Sequence, residues 1–439
     1  MWYTCLKGGV LLVISNLKIR NFKSIASADI DFNPLTMLVG ANASGKSNLI
    51  NVFRFISNIA SDGIDNAIAL QGGISYLANA SLPKGTPIEI AFTLDLSKEG
   101  WYRSIDEKSF CMKIKKINYH FVIQPNMRGG GYHIATDSLM MTFDWHNIDL
   151  TAKSGHRYTP NGVQYSLLAE KKSMKSSIQL SHFFTPANNV DEKMQSAVER
   201  DFTARVFSRL CNEDRNELML YRIPILLPAN FSENTFIRIF DFDPKELKKS
   251  SSMASMTILD ENGSNIASVL NSILRTKENR KKLTTLLNEF LPFVDGISVE
   301  NNFDKSFSYK VQEKFSNRAF HANFLSDGTV SLLAIIISLY FEEMSNIIIL
   351  EEPERNIHPK LLASLLASAE DVSDEKQIII TTHNPEFLKH INIQNVRFVH
   401  RDMDGYTLLS APSNSRAVQC FMKNDLGLDD LFLQDMLGE

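Results

Sequence analysis

The octapeptide Gly40-Ala41-Asn42-Ala43-Ser44-Gly45-Lys46-Ser47 constrains this chain more than any other stretch. It matches G-x-x-x-x-G-K-[ST] without a gap, and its surroundings suit it. The apolar run Leu35–Val39 leads in, and Leu49, Val52, Phe53, Ile56 and Ile59 follow at helical spacing. Strand, glycine-bearing turn and helix, in that order, present backbone N–H groups and a positive helix end to an anion. Lys46 is expected to neutralise phosphate oxygens and the Ser47 hydroxyl to hold Mg²⁺. Gly40, Asn42, Ser44, Gly45 and Asn48 belong to the same expected nucleotide-binding set. The motif predicts an α/β core with ATP and Mg²⁺ as cofactors.

Two further strand ends carry candidate chemistry. The run Asn346–Leu350 is the kind a parallel sheet buries on both faces, and it ends in Glu351-Glu352. Ligands of such sheets sit beyond the carboxyl ends of the strands. Glu351 is therefore expected to face Mg²⁺ and its water shell, and Glu352 to act as general base on the attacking water. A second run, Gln377–Thr382, ends at His383, with Asn384-Pro385 opening a helix. His383 is placed to hydrogen-bond a γ-phosphate or to orient a water. Taken singly, an acidic pair also reads as a solvated loop and a lone histidine as structure. Leu325-Ser326-Asp327-Gly328-Thr329 precedes the apolar helix Val330–Phe341. There Ser326 and Gly328 supply either an anion site or a plain helix cap.

Between these segments the pattern changes twice. Ile88–Leu94, Phe110–Ile123 and Tyr132–Phe143 read as antiparallel strands. Helical spacing then dominates from about 191 to 290, in the stripes Met194, Val198, Phe202, Val206 and Ile266, Val269, Leu270, Ile273, Leu274. Neither stripe is long enough for a coiled coil. The 439 residues allow two or three units. The expected division is 12–185 for a first lobe, 186–292 for a helical insert, 293–415 for a second lobe and 416–439 for a tail. Residues 1 to about 11 read as a dispensable extension or a misplaced start.

Composition narrows the function. With 46 Lys and Arg against 50 Asp and Glu, the net charge of −4 gives no general field for nucleic acid. DNA contact would need local clusters such as Lys113-Lys115-Lys116, Lys171-Lys172-Lys175 or Arg280-Lys281-Lys282, which also read as solvated faces. The four cysteines, Cys5, Cys111, Cys211 and Cys420, lack paired spacing, which fits a reducing compartment. No apolar run approaches the roughly 18 residues of a membrane span.

The order of these elements resembles the ABC-type ATPase head, in the RecF and structural-maintenance-of-chromosomes (SMC) branch. That resemblance implies an α/β, two-lobed head with an antiparallel β subdomain and a helical insert. It makes Leu325–Thr329 the signature, Glu351-Glu352 the Walker B pair, Glu354–His358 the D-loop and His383 the switch residue. Leu17-Lys18-Ile19-Arg20-Asn21-Phe22-Lys23-Ser24 is similar to the branch's opening strand. The likeness covers about 13–73 and 323–400. Two positions depart from it: Glu351 stands where an aspartate is usual, and Gln71 precedes Gly72-Gly73 where relatives often carry arginine.

Glu351-Glu352-Pro353-Glu354 followed by Ile357-His358-Pro359 is similar to bacterial AAA-family ATPases of anti-phage systems such as Septu, PARIS or AbiL. The resemblance implies a cytoplasmic ATPase whose heads form a homodimer, or a larger homo-oligomer, around ATP. It would control a separately encoded effector of nuclease type. A RecF-like repair ATPase binding DNA directly is the alternative. An OLD-like nuclease is disfavoured, because only Asp402-Met403-Asp404 and a short tail follow His383, and Asp402–Gly405 reads as a hairpin turn.

Overall fold

The computed structural model describes residues 2–4, 12–96, 101–106, 110–127, 130–149, 157–172, 178–185, 217–222, 237–254, 258–342 and 345–412. The chain divides into two compact units, one of 1–33, 47–236 and 400–409, the other of 34–46, 237–399 and 410–439.

The first unit is built on a nine-stranded antiparallel sheet. Its spatial order is Gln179–Thr185, Arg157–Lys172, Tyr132–Asp149, Phe110–Pro125, Ile88–Asp95, Val13–Phe22 and Ile25–Asp31. Trp101–Asp106 pairs with Phe110–Pro125 and also with Trp2–Thr4. The start of the chain is thus part of the sheet, where the sequence suggested an expendable extension; three residues are too few for alternation to announce a strand. Alternation does set the inner strands. Ile88, Ile90, Phe92 and Leu94 point inward, with Leu17 opposite Phe92 and Ile19 opposite Ile90. The helix Lys46–Asp62 lays its apolar stripe against this unit. The rings of Phe55 and Phe22 lie 5.9 Å apart, and Phe53 meets Phe32 edge-on at 5.5 Å. Gln71-Gly72-Gly73 is the turn between the helices Ile64–Leu70 and Ile74–Leu77. Gly72 and Gly73 take φ of 90° and 98°, and their N–H groups donate to Ala69 and Ile68 carbonyls. Gln71 serves that turn.

A buried acid pins a segment to this sheet. Asp137 accepts from the Tyr119 hydroxyl at 2.6 Å and from Met219 N–H at 2.9 Å, and Leu220 N–H donates to Tyr119 at 3.0 Å. Burial pushes the Asp137 carboxyl from 3.8 up to about 6, against the pull of its hydrogen bonds to Tyr119 and Met219. The native state therefore holds the proton more tightly than the unfolded chain does. The contribution to stability is present below the unfolded value and is lost as pH rises from 3.8 through about 6. Its size is about 3 kcal/mol. Asp137→Asn, which cannot ionise, is expected to flatten this part of the stability–pH curve in urea unfolding. Identical slopes for the two proteins would place the titration elsewhere.

The second unit contains a parallel sheet ordered Ile237–Phe240, Ile347–Glu351, Gln377–Thr382, Leu35–Val39 and Val396–Arg401. Leu35–Val39 and Gln377–Thr382 are buried at every residue, as expected of strands covered on both faces. The helix Asp327–Tyr340 is buried from Val330 through Leu339, so it lies in the core of this unit instead of presenting a polar face. A small antiparallel sheet, centred on Val294–Asn301 and Ser306–Glu313, adds to that core.

Within the span that sequence spacing makes helical, Ile266–Ile273 and Lys277–Phe290 are helices, while the Met194–Val206 stripe lies outside the described residues. Ile237–Phe240 differs: it is a strand beside Ile347–Leu350. Four residues show no period by which to tell strand from helix. Asp402–Gly405 is a turn, with Gly405 at φ 82° and the Asp402 carboxylate accepting from Asp404 and Tyr406 N–H. Among the described residues no helix is long and apolar enough to cross a membrane.

Candidate functional site

The phosphate loop leaves the end of Leu35–Val39 and closes on itself. Gly40 N–H donates to the Thr382 carbonyl at 3.2 Å, and a Cβ at Gly40 would sit 2.2 Å from the Val399 carbonyl oxygen. Only glycine fits so close to a neighbouring backbone. Ala43 and Gly45 turn through φ of 63° and 109°, a sequence of bends that gathers N–H groups into a nest. Lys46 is buried, and its ammonium donates to the Gly40 and Ala41 carbonyls at 2.7 and 3.0 Å. Burial pushes this amine below its ordinary range, while the charges of Glu352 and Glu354 pull it back up. Ser44 is buried; Asn42 and Ser47 are exposed, Ser47 being the second residue of the helix. The Asn48 side-chain amide donates to Ser24 Oγ at 2.6 Å, and Ser24 pairs with Thr407 at 2.7 Å. That amide anchors the helix within the first unit.

Three strand ends of the second unit converge on Glu352. Its Oε1 lies 3.1 Å from His383 Nδ1 and 4.0 Å from Lys46 Nζ. Its Oε2 accepts from Arg355 Nε at 2.9 Å. A carboxylate only accepts, so His383 carries its proton on Nδ1 and leaves Nε2 for other work. Burial pushes the Glu352 carboxyl up, but hydrogen bonds from Arg355 and His383, with their charges, more than offset this and hold it below its ordinary range. The acid is thus ionised and poised to accept. Glu351, at the end of the strand Ile347–Glu351 and opposite Thr381, is half-buried and offers a carboxylate of the hard, oxygen type that Mg²⁺ takes.

A second buried acid supports the histidine turn. Glu354 accepts from Thr382 Oγ1, which in turn accepts from Asn384 N–H at 2.9 Å. Burial raises the Glu354 carboxyl above its usual range. Asn384 caps the turn Pro385–Lys389 by accepting from Glu386 N–H at 3.0 Å.

Ser326 and Gly328 make their contacts away from this cluster. Ser326 is the exposed N-cap of Asp327–Tyr340 and accepts from Thr329 N–H at 3.2 Å. Gly328 runs against the D-loop: a Cβ there would meet the Asn356 carbonyl oxygen at 2.6 Å, and Asn356 itself has φ 65°. Lys248 Nζ pairs with Asp327 at 2.5 Å. Sequence assigned no individual role to Arg355, within the Glu354–His358 stretch, to Thr382, at a strand end, or to Asp241. Arg355 bridges Glu352 to Asp241, 114 residues away, and no local pattern announces such a pair. Members of two basic clusters make local contacts. Lys115 sits 3.7 Å from Asp144, Arg280 donates to the Leu274 carbonyl, and Lys282 donates to the Tyr340 carbonyl.

A phosphate loop beside strands ending in an acid pair and a histidine defines a nucleotide-hydrolysing P-loop core. The AAA ATPase domain family matches residues 13–388, and the chain belongs to that family. Its fold is that of an SMC head. The crystal structure of an SMC head bound to the C-winged helix domain of ScpA covers 92% of this chain and 99% of its own, with TM-score 0.50 and 14% identity. The SMC head domain from Thermotoga maritima aligns at TM-score 0.42 and 12% identity, over 91% of this chain and 98% of its own. A DNA replication and repair protein RecF from Porphyromonas gingivalis is 49% identical over 47 residues, which are 10% of this chain and 13% of that protein.

Proposed function

We propose that this chain binds ATP on the loop Gly40–Ser47 and hydrolyses it with Glu352 as general base. Lys46 neutralises phosphate, Ser47 and Glu351 would hold Mg²⁺, which when bound would offset negative charge on the transferred phosphoryl group, and His383 positions the water or the γ-phosphate. The observation that carries this reading is the meeting, around one carboxylate oxygen, of Lys46, Glu352 and His383, which come from the segments that follow three adjacent strands. A loop nest, a buried ammonium and hard oxygen donors fit a Mg–nucleotide.

Nucleotide is shared between two copies in this proposal, each offering Ser326 and Gly328 to the other's phosphate loop. ATP then joins the pair and hydrolysis releases it. The test mixes two inactive variants. Lys46→Ala spoils a chain's own nucleotide site, and Ser326→Arg spoils what a chain donates. In a mixed pair one site is intact, so hydrolysis should return, or ATP-dependent heterodimers should form if both sites must fire together. Neither outcome in the mixture would leave Ser326 as a helix cap and end the dimer switch.

The switch controls a separately encoded effector of nuclease type in an anti-phage system; the Glu351–Pro359 stretch supports this. A second reading, a repair ATPase on DNA, is favoured by the short RecF match alone. Purification from the native operon with ATP separates them. A second polypeptide of stoichiometric amount supports the effector, and nucleic acid in its place supports repair.

A further inference from the structure

We infer that Arg355, clamped by Asp241, is a positioning residue that sets the orientation of the Glu352 carboxylate. The inference rests on the assignment of Glu352 as base. Glu352 sits at φ 42°, a left-handed backbone unusual for its residue type, held by its N–H donating to the Thr381 carbonyl at 3.0 Å. That backbone aims the side chain at the site but does not fix the plane of its carboxylate. The terminal torsion of a glutamate is soft and roughly two-fold, so neighbours must decide which lone pair faces the water. His383 holds Oε1 and Arg355 holds Oε2.

Arg355 could swing away, since its side chain is 47% exposed against 15% for Glu352. Two contacts prevent this. Its backbone N–H donates to the Glu352 carbonyl at 3.1 Å, closing a turn. Its Nη1 donates to Asp241 Oδ1 at 2.8 Å, which leaves Nε facing Glu352. Asp241 follows the strand Ile237–Phe240, and its N–H is tied to the Glu261 carbonyl at 3.0 Å. The planar guanidinium suits this bridge because it offers donors along two edges in a fixed geometry. A lysine there is a compact charge without the rigid planar fork that holds both partners in one geometry.

The test measures kcat and KM for ATP hydrolysis. Arg355→Ala is expected to lower kcat by about 10- to 100-fold, as for other small misplacements of a reacting group. KM should stay within about twofold, because the substrate contacts of Lys46 remain. Arg355→Lys should recover part of the loss. Asp241→Asn keeps size and shape and should give a smaller loss; it carries the test if Arg355→Ala does not fold. In a Glu352→Gln background, Arg355→Ala should cost nothing further. Wild-type kcat in Arg355→Ala, a raised KM with kcat intact, or an equal loss in the Glu352→Gln background would each overturn the proposal. Failure of the base assignment shows separately, as normal hydrolysis by Glu352→Gln alone.

Discussion

Glu352→Gln should leave ATP affinity unchanged and slow hydrolysis by about 10²- to 10⁴-fold, the usual worth of a positioned general base. The structure gives the reason in two parts. Glu352 is held anionic by Arg355 and His383, so in the wild type it is ready to take a proton. An amide has no such capacity. The substitution otherwise disturbs little: the glutamine oxygen can accept from Arg355, and its NH₂ can face His383 if the imidazole moves its proton from Nδ1 to Nε2. Binding and chemistry are thereby uncoupled, and ATP-bound dimers should accumulate. Phosphate release and nucleotide titration check the two halves independently. Normal turnover would move the base to a neighbouring carboxylate.

Lys46→Ala should raise the dissociation constant for ATP by about 100-fold or more, the equivalent of about 3 kcal/mol in charge-assisted hydrogen bonds. Little unfolding should accompany it. The ammonium is buried, and burial already pulls its amine below the ordinary range, so removing it relieves a desolvated charge. What the native state loses are two bonds to the loop's own carbonyls, at buried Gly40 and exposed Ala41, and a 4.0 Å approach to Glu352, against which the relief of the buried charge is set. A thermal midpoint within a few degrees of wild type, about 1 kcal/mol or less, is expected. Isothermal titration with unchanged affinity would remove the nucleotide from this loop altogether.

The phosphate loop, both flanking elements, the acid-ended strand and the strand ending at His383 were legible before any coordinates. All are local: eight consecutive residues specify the loop, and unbroken apolar runs specify strands buried on both faces. Leu35–Val39 and Gln377–Thr382 match their sequence limits residue for residue. The antiparallel strands Ile88–Asp95 and Phe110–Pro125 were legible for the same reason, a period of two.

Other features depended on what the folded chain brings together. Ile237–Phe240 carries too few residues to show a period, and it becomes a strand because Ile347–Leu350 supplies a parallel edge. The side-chain amide of Asn48 goes to Ser24, which reaches it only through the antiparallel turn after Phe22. Trp2–Thr4 finds a place by pairing with Trp101–Asp106, some hundred residues on along the chain. Sequence alone placed Lys46, Glu351, Glu352 and His383 each at the end of a readable element. Tertiary structure decided how Glu352 is held, because the contact of Arg355 with Asp241 joins residues that only sheet order makes neighbours, and ion-pair geometry leaves no trace in residue spacing.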